Sequence, residues 1–351
     1  ELTDLERLLS VCGQSLDPVA APGLGDILGE FCPLKSVRKI GEGTFGEAFK
    51  GSGVVYKIVP MEGDFPVNGE TQKRAHEMLA EAAIANRLST LSDGGEANVT
   101  GAFVKTHRIA VCRGKYPREM VKEWERWDKA NTSENDHPKC FPGEQLYIVF
   151  VVADGGRDLE HFEIGSFEEA RAVLLQTTLA LAVGEEACGF EHRDLHWGNL
   201  LLARDGEKHA TARLRGVDIE MQAAGMRAVL IDFTLSRLEL EDGSLAFCDL
   251  AQDPELFMGP KGDVQADTYR RMKQATRNKW SLHAPKTNSL WLHYLADIML
   301  NEKSFPRDNA QTMELKSFRK RATSYKCASD ALWDDLFKGQ FTMGEEDSGR
   351  R

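Results

Sequence analysis

Apolar positions fall into two regimes along this chain. Leu5 to Val11 carries the spacing of a short amphipathic helix, and a turn-rich stretch with Pro18, Pro22, Gly23 and Gly25 follows. From Val37 to Ile58 short apolar runs alternate with glycines, as twisted antiparallel strands joined by tight turns require. Residues 72–91 have helical periodicity, and the run LYIVFVV from Leu146 to Val152 is short, apolar and β-branched, which predicts a buried strand closed by Gly155 and Gly156. Beyond it the pattern is mostly helical. EEARAVLLQTTLALAV gathers Val173, Leu174, Thr177 and Leu181 on one face, and NSLWLHYLADIML gathers Leu290, Trp291, Tyr294, Leu295, Ile298 and Met299. Both stripes read as core. Strands first and helices later predict an α+β fold: a small antiparallel β-rich lobe with one main helix, a larger α-helical lobe, and a cleft between them. The expected organisation is an extension over residues 1–33 packed on the rest, a first lobe over 34–155, a second over 156–340 and a disordered tail over 341–351. Within the second lobe, residues 203–228, with Gly206, Gly216 and Gly225, read as a surface hairpin inserted between chemistry-bearing segments.

Composition narrows the partners. No run of 18 uninterrupted apolar residues is present, so no membrane span is expected, and the first ten residues lack the basic and apolar regions of a signal peptide. Seven cysteines, at 12, 32, 112, 140, 188, 248 and 327, form no CxxC pair, as expected of a reducing intracellular compartment. A formal charge of −11 disfavours general binding to phosphate backbones and favours a positively charged partner.

The candidate chemistry lies in five places. KIGEGTFGEAF holds Gly41, Gly43 and Gly46 in a GxGxxG pattern, where missing side chains let backbone N–H groups approach phosphate oxygens. Glycines in hairpins are commonly plain turn residues. Here strand-like sequence continues past them, so the segment Ile40, Gly41, Glu42, Gly43, Thr44, Phe45, Gly46, Glu47 and Ala48 reads as a flap over phosphates and not as a helix N-terminus. Lys57 sits in the strand pattern GVVYKIV with Tyr56 on the opposite face. Glu81 shares a helical stripe with Ile84, Leu88 and Leu91, and a carboxylate on an apolar face needs a cationic partner, for which Lys57 is the candidate. In FEHRDLHWGNLLL, Asp194 has the position of a base that accepts a proton from an attacking hydroxyl, and Asn199 that of a neutral oxygen ligand for magnesium. Asp232, delivered by the apolar run in VLIDFTLSR, would be the second hard-oxygen ligand of a phosphoryl-transfer site.

Taken in order, the glycine loop, strand lysine, helix glutamate, HRD with asparagine, and Asp-Phe pair resemble the eukaryotic protein kinases. DFT in place of DFG, the missing APE, and His196 with Trp197 where a lysine is usual narrow the match. HRDLHWGN followed by DFTLSRLE, with GEGTFGEAF, GGRDLE, FCDLAQDPELF and LWLHYLADIML, resembles the haspin family over most of residues 1–340. That resemblance implies a two-lobed protein-kinase-like fold, ATP and Mg as cofactors, and activity without phosphorylation of the activation segment. Arg193 would then have no phosphorylated Thr234, Ser236 or Ser244 to clamp. It also implies adenine near Val152 to Gly155, with Ala153, Asp154, Gly155 and Gly156 in the hinge and Asp158 near ribose and peptide. The hinge VVADGG departs from the family's version in its side chains. The implied substrate is the threonine near the amino terminus of histone H3, and the implied setting is nuclear and chromosomal. His196 either orients its loop or touches substrate.

Independently of the family, residues 238–263 carry seven acids against Lys261. Solvated loops often look like this. The segment follows Asp232 directly, so Asp253 and Glu255, with Asp158 and Glu160, are expected to receive arginine and lysine of a basic peptide. Lys316, Arg319, Lys320 and Arg321 form a basic face at helical spacing, either solvated or in weak contact with nucleosomal DNA. A monomer is expected. Two other readings stay open: a small-molecule kinase of the choline or aminoglycoside type, which shares HxDLHxGN, and a pseudokinase acting as a binding module.

Overall fold

The computed structural model describes residues 2–94 and 97–344, and the chain divides into two compact units. The first comprises Glu1–Ala83 and Lys105–Asp154, the second Ile84–Val104 and Gly155–Arg351, so the division falls inside the helix Ala75–Thr90.

The first unit is built on a five-stranded antiparallel sheet in the order Arg38–Gly43, Gly46–Gly51, Val54–Met61, Leu146–Ala153, Thr106–Arg113. Alternation along Val54–Met61 turns Tyr56 and Ile58 into the core and leaves Lys57 half-buried on the other face. That core also takes Leu24, Ile27 and Leu28 from the short helix Leu24–Gly29 and Met120 and Val121 from the helix Arg118–Asn131. The leading helix is Asp4–Val11, started by a capping box between Thr3 and Glu6. Just after it, Gln14 meets the edge strand: its Nε2 donates to the Val111 carbonyl at 2.9 Å and its Oε1 accepts from the Val111 N–H at 2.7 Å. Ala75 begins the helix expected from residue 72. Gln72 is held out of it, because its amide pairs with the buried Gln145 and accepts from the Gly63 N–H.

The second unit is organised around the helix Phe167–Cys188, capped by Ser166 and ended by Gly189 in the left-handed conformation at φ 58°. Its stripe is wider than the four residues expected, because apolar side chains are buried on every side of its middle turns. The same holds for Lys286–Asn301. Leu200–Arg204 pairs with Met226–Leu230 on one side and Arg157–Asp158 on the other. Inside the 203–228 insertion, His209–Leu214 and Val217–Gln222 form a hairpin turned at Arg215 and Gly216, both with positive φ. Its alternate residues Ala212, Leu214, Val217, Ile219 and Met221 are buried, so one face belongs to the core. Phe341–Met343 differs from the expected disorder: it adds a strand to the free edge of Val217–Gln222, with Phe341 edge-on to Trp333. Residues 345–351 of that expected tail lie outside the described residues.

Candidate active site

In the first unit the glycine motif forms the hairpin of Arg38–Gly43 with Gly46–Gly51, turning at Thr44 and Phe45. Of its three glycines, only Gly46 is demanded by packing, since a Cβ there would stand 2.3 Å from the Ile58 carbonyl oxygen. A Cβ at Gly41 or Gly43 would meet open space. Glu42 and Glu47, expected at the ligand, turn their side chains to the buried Lys39, which donates to both carboxylates and lies 4.3 Å from the Trp127 ring centroid. Any ligand contact from these two residues would therefore be made by backbone. Ser133 donates to Glu42 at 2.6 Å, and Asn135 donates to the Gly43 and Gly46 carbonyls, each at 3.3 Å, so the segment after Arg118–Asn131 straps the hairpin. Ile40 and Phe45 are exposed.

Lys57 meets Glu81 as the sequence implied, Nζ to Oε1 at 2.7 Å, with the carboxylate 6 % exposed and the ammonium 35 %. Val54–Met61 places the lysine and Ala75–Thr90 the glutamate. Burial of the acid makes the pair directional, since an unpaired carboxylate there would cost several kcal/mol, on the order given for lone buried ions. In the segment expected to meet adenine, the Ala153 N–H donates to the Lys105 carbonyl and the Asp154 N–H to the Gly53 carbonyl, while Lys50 holds the Asp154 carboxylate at 2.5 Å.

The second unit carries the HRD segment, and the helix Lys286–Asn301 pins it. Asn288 accepts from the His192 N–H at 3.0 Å and donates to the Phe190 carbonyl at 2.9 Å, while Thr287 donates to Glu191 at 2.8 Å. Arg193 has φ 66° and no exposed surface. Its Nε donates to Glu191 at 3.1 Å, Nη1 to the Trp280 carbonyl at 2.7 Å and Nη2 to the Leu282 carbonyl at 3.3 Å. The guanidinium is thus neutralised and hydrogen-bonded inside the unit. Ser236 is buried, its hydroxyl donating to the His192 carbonyl, and Thr234 is bonded to Asp232.

His192 is fully buried, and burial pushes its imidazole down to about 4. The neutral ring fits its contacts: Nε2 donates to the Ile231 carbonyl at 3.1 Å and Nδ1 faces the Asp194 N–H at 3.4 Å. Around it, Phe233 packs edge-on against Phe190, His192 and Phe103, which anchors the residue next to Asp232.

Asn199 and Asp232 come to the same end of one ladder. Leu200 is opposite Leu230, the Ile231 N–H donates to the Asn199 carbonyl at 3.0 Å, and Asp232 follows at φ 60°. The Asn199 Nδ2 donates to the Asp194 carbonyl at 2.8 Å, which joins the expected base to the expected metal ligand and leaves the amide's Oδ1 as its ligand atom. Asp232 Oδ1 accepts from both the N–H and the hydroxyl of Thr234. A carboxylate and an amide oxygen are the hard donors a magnesium ion takes, so these side chains fit it.

His196 caps the short turn Trp197–Asn199, its Nδ1 accepting from the Gly198 N–H at 3.1 Å, and burial lowers its pKa. That contact is the loop-orienting alternative of the two the sequence left open. Asp158 accepts from His161 N and Nδ1 at 3.0 and 2.7 Å, and Glu160 is exposed beside it. Asp253 caps the turn Pro254–Phe257, and both it and Glu255 are exposed. Phe257 stacks on Trp280 at 5.9 Å, which ties that turn to the carbonyl holding Arg193. In the basic face, Arg319 pairs with Asp297 at 2.5 Å and Arg321 with Asp334 at 2.7 Å, which reduces the charge it offers. The sequence reading missed Tyr269, whose hydroxyl donates to Asp194 Oδ1. Its one signal was a hydroxyl on the apolar stripe Ala266, Tyr269, Met272.

A family profile described as "Haspin like kinase domain" matches residues 26–331. The chain belongs to the haspin-like kinases. It is 45 % identical over 332 residues to a serine/threonine-protein kinase haspin homolog of Arabidopsis thaliana, covering 94 % of this chain and 54 % of the relative. With serine/threonine-protein kinase haspin of Bos taurus it shares 39 % over 349 residues, 96 % of this chain and 44 % of that one. The haspin homolog of Drosophila melanogaster is 37 % identical over 289 residues, 79 % and 50 % of the two chains. The chain thus spans about half the length of these relatives. Membership makes the fold the two-lobed α+β kinase fold, consistent with a sheet-rich unit and a helix-rich one.

Proposed function

We propose that this chain is an ATP-dependent serine/threonine protein kinase that phosphorylates a hydroxyl in a basic peptide, the threonine near the amino terminus of histone H3. Kinship with proteins named serine/threonine-protein kinase haspin supports the activity. The observation that carries it is the bond from Asn199 to Asp194 at the ladder end where Asp232 also emerges, on a loop that Thr287 and Asn288 hold from behind. In this reading Asp194 accepts the proton of the attacking hydroxyl. Lys57, oriented by Glu81, holds the α- and β-phosphates, and the open backbone at Gly41 and Gly43 approaches phosphate oxygens. Asn199 Oδ1 and Asp232 would hold magnesium, which when bound neutralises charge on the β- and γ-phosphates.

Arg193 supports a further part of the reading. A guanidinium already satisfied by Glu191 and two carbonyls has no task left for a phosphorylated residue, so activity is independent of activation-segment phosphorylation. The exposed acids Glu160, Asp253 and Glu255, with Asp158, are assigned to the basic side chains of the substrate. A nuclear, chromosomal site of action follows from that substrate.

The test is incubation with magnesium, radiolabelled ATP and an amino-terminal histone H3 peptide, alongside amino alcohols and the Asp194→Asn variant. Label on the peptide threonine, abolished in the variant and unaffected by phosphatase pretreatment, is expected. Transfer to amino alcohols alone, or none to any acceptor, would overturn the reading.

A further inference from the structure

Tyr269 lies on the helix Val264–Ala275, seventy-five positions along the chain from the residue it touches. Its hydroxyl donates to Asp194 Oδ1, and its ring is 7 % exposed. The ring stands edge-on to Trp291 at 5.4 Å, and Trp291 stands edge-on to Tyr294 at 5.2 Å. Trp291 is fixed in turn by its Nε1–H donating to Met272 Sδ at 3.2 Å. At the other end of this row the Tyr294 hydroxyl accepts from the Trp197 N–H at 3.4 Å. One aromatic row on two helices therefore holds the loop at two points: through the side chain of Asp194 and through the backbone three residues later.

The geometry points to Tyr269 as a positioning residue for the base, acting through its hydroxyl on Asp194 and so standing in for the lysine that His196 and Trp197 displace from this loop. The inference rests on the kinase reading above. A carboxylate swings about its last torsion, and proton acceptance in the transition state requires one orientation. A phenol held by buried rings removes that freedom. Burial, and then the neighbouring carboxylate, push the Tyr269 hydroxyl above its usual range, so it stays a donor throughout the working pH.

The experiment is steady-state kinetics of Tyr269→Phe, with Asp194→Asn and Tyr294→Phe in parallel. Loss of a hydrogen bond to a charged group predicts a fall in kcat of about ten- to a hundredfold. The KM values for ATP and peptide should stay within about twofold, because the lost contact acts on the reacting step. Tyr294→Phe should lower kcat less, since its hydroxyl meets backbone and not the base. If Tyr269→Phe fails to fold, 3-fluorotyrosine at 269 keeps the ring and changes the strength of the donor, and kcat should then change while both KM values stay within about twofold. An unchanged kcat for either replacement, with Asp194→Asn inactive, overturns the role of Tyr269 and leaves the base assignment standing. A rise in kcat on removing the hydroxyl would identify it as a plug and also overturn the inference. Full activity in Asp194→Asn would overturn the base assignment, and this inference with it.

Discussion

Glu191→Gln removes the counter-charge of Arg193 and leaves one acceptor oxygen where the carboxylate had two, enough for the Ala284 N–H or for the Thr287 hydroxyl and not for both. Both members of the ion pair have side chains with no exposed surface. Leaving a buried guanidinium without its carboxylate costs about 3–5 kcal/mol. The two carbonyls of Trp280 and Leu282 offset part of the desolvation in wild type and variant alike, so they do not reduce the difference. For a unit of this size that loss lowers Tm by on the order of 10 °C. Urea and thermal unfolding, followed by the fluorescence of Trp280 beside the pair, would measure it. Arg193→Met should cost a similar amount by stranding the carboxylate. The double variant should cost less than the sum of the two, with a coupling of at least about 2 kcal/mol. Two small, additive single effects, each below about 1 kcal/mol, would refute the claim that this arginine is neutralised from within.

Three further outcomes are expected. Gly46→Ala should lower stability by about 1–3 kcal/mol through its contact with the Ile58 carbonyl, while Gly43→Ala should leave Tm unchanged and raise the KM for ATP; equal Tm losses would contradict this. The depressed pKa of His192 means the unfolded chain binds its proton more readily between about pH 4 and 6.5, so this residue's contribution to stability falls as pH drops through that window. Its Cε1 proton resonance should show no titration from pH 8 to 5, and a midpoint near 6.5 would contradict the neutral tautomer. Asp253→Lys with Glu255→Lys should raise the peptide KM by about tenfold or more without moving that for ATP, and equal effects on both would remove these residues from the peptide site.

Much of the site was legible because its signals are local. HRDLHWGN and VLIDFTLSR sit on loop and strand ends whose chemistry reads directly, and the Lys57–Glu81 pair followed from a carboxylate on an apolar stripe. What escaped depends on topology. Lys39 and Asn135 meet at Glu47 from distant parts of the chain, and nothing in either segment's periodicity announces the strap on the glycine hairpin. Tyr269 had the spacing of a core residue, and a stripe shows that a side chain is buried without showing what its hydroxyl meets. The extra strand Phe341–Met343 was hidden for the same reason, since three residues between polar neighbours gain strand character from the edge they pair with. The helix Phe167–Cys188 was read as one-faced, yet Leu175, Leu179 and Val183 are buried beside Ala172, Ala180 and Ala182 on its remaining sides, because its middle turns are enclosed by neighbouring elements.

The amide of Gln14 has a bearing on how this protein should be handled. Thr106–Arg113 closes one side of its sheet, and an open ladder of that kind is a template onto which a second molecule can add a strand. A single glutamine side chain occupies the middle of that template with the same donor and acceptor that another backbone would bring. Trimming the leading residues to obtain a tidier domain would therefore uncover a sticky rim, and solubility would be lost before catalysis.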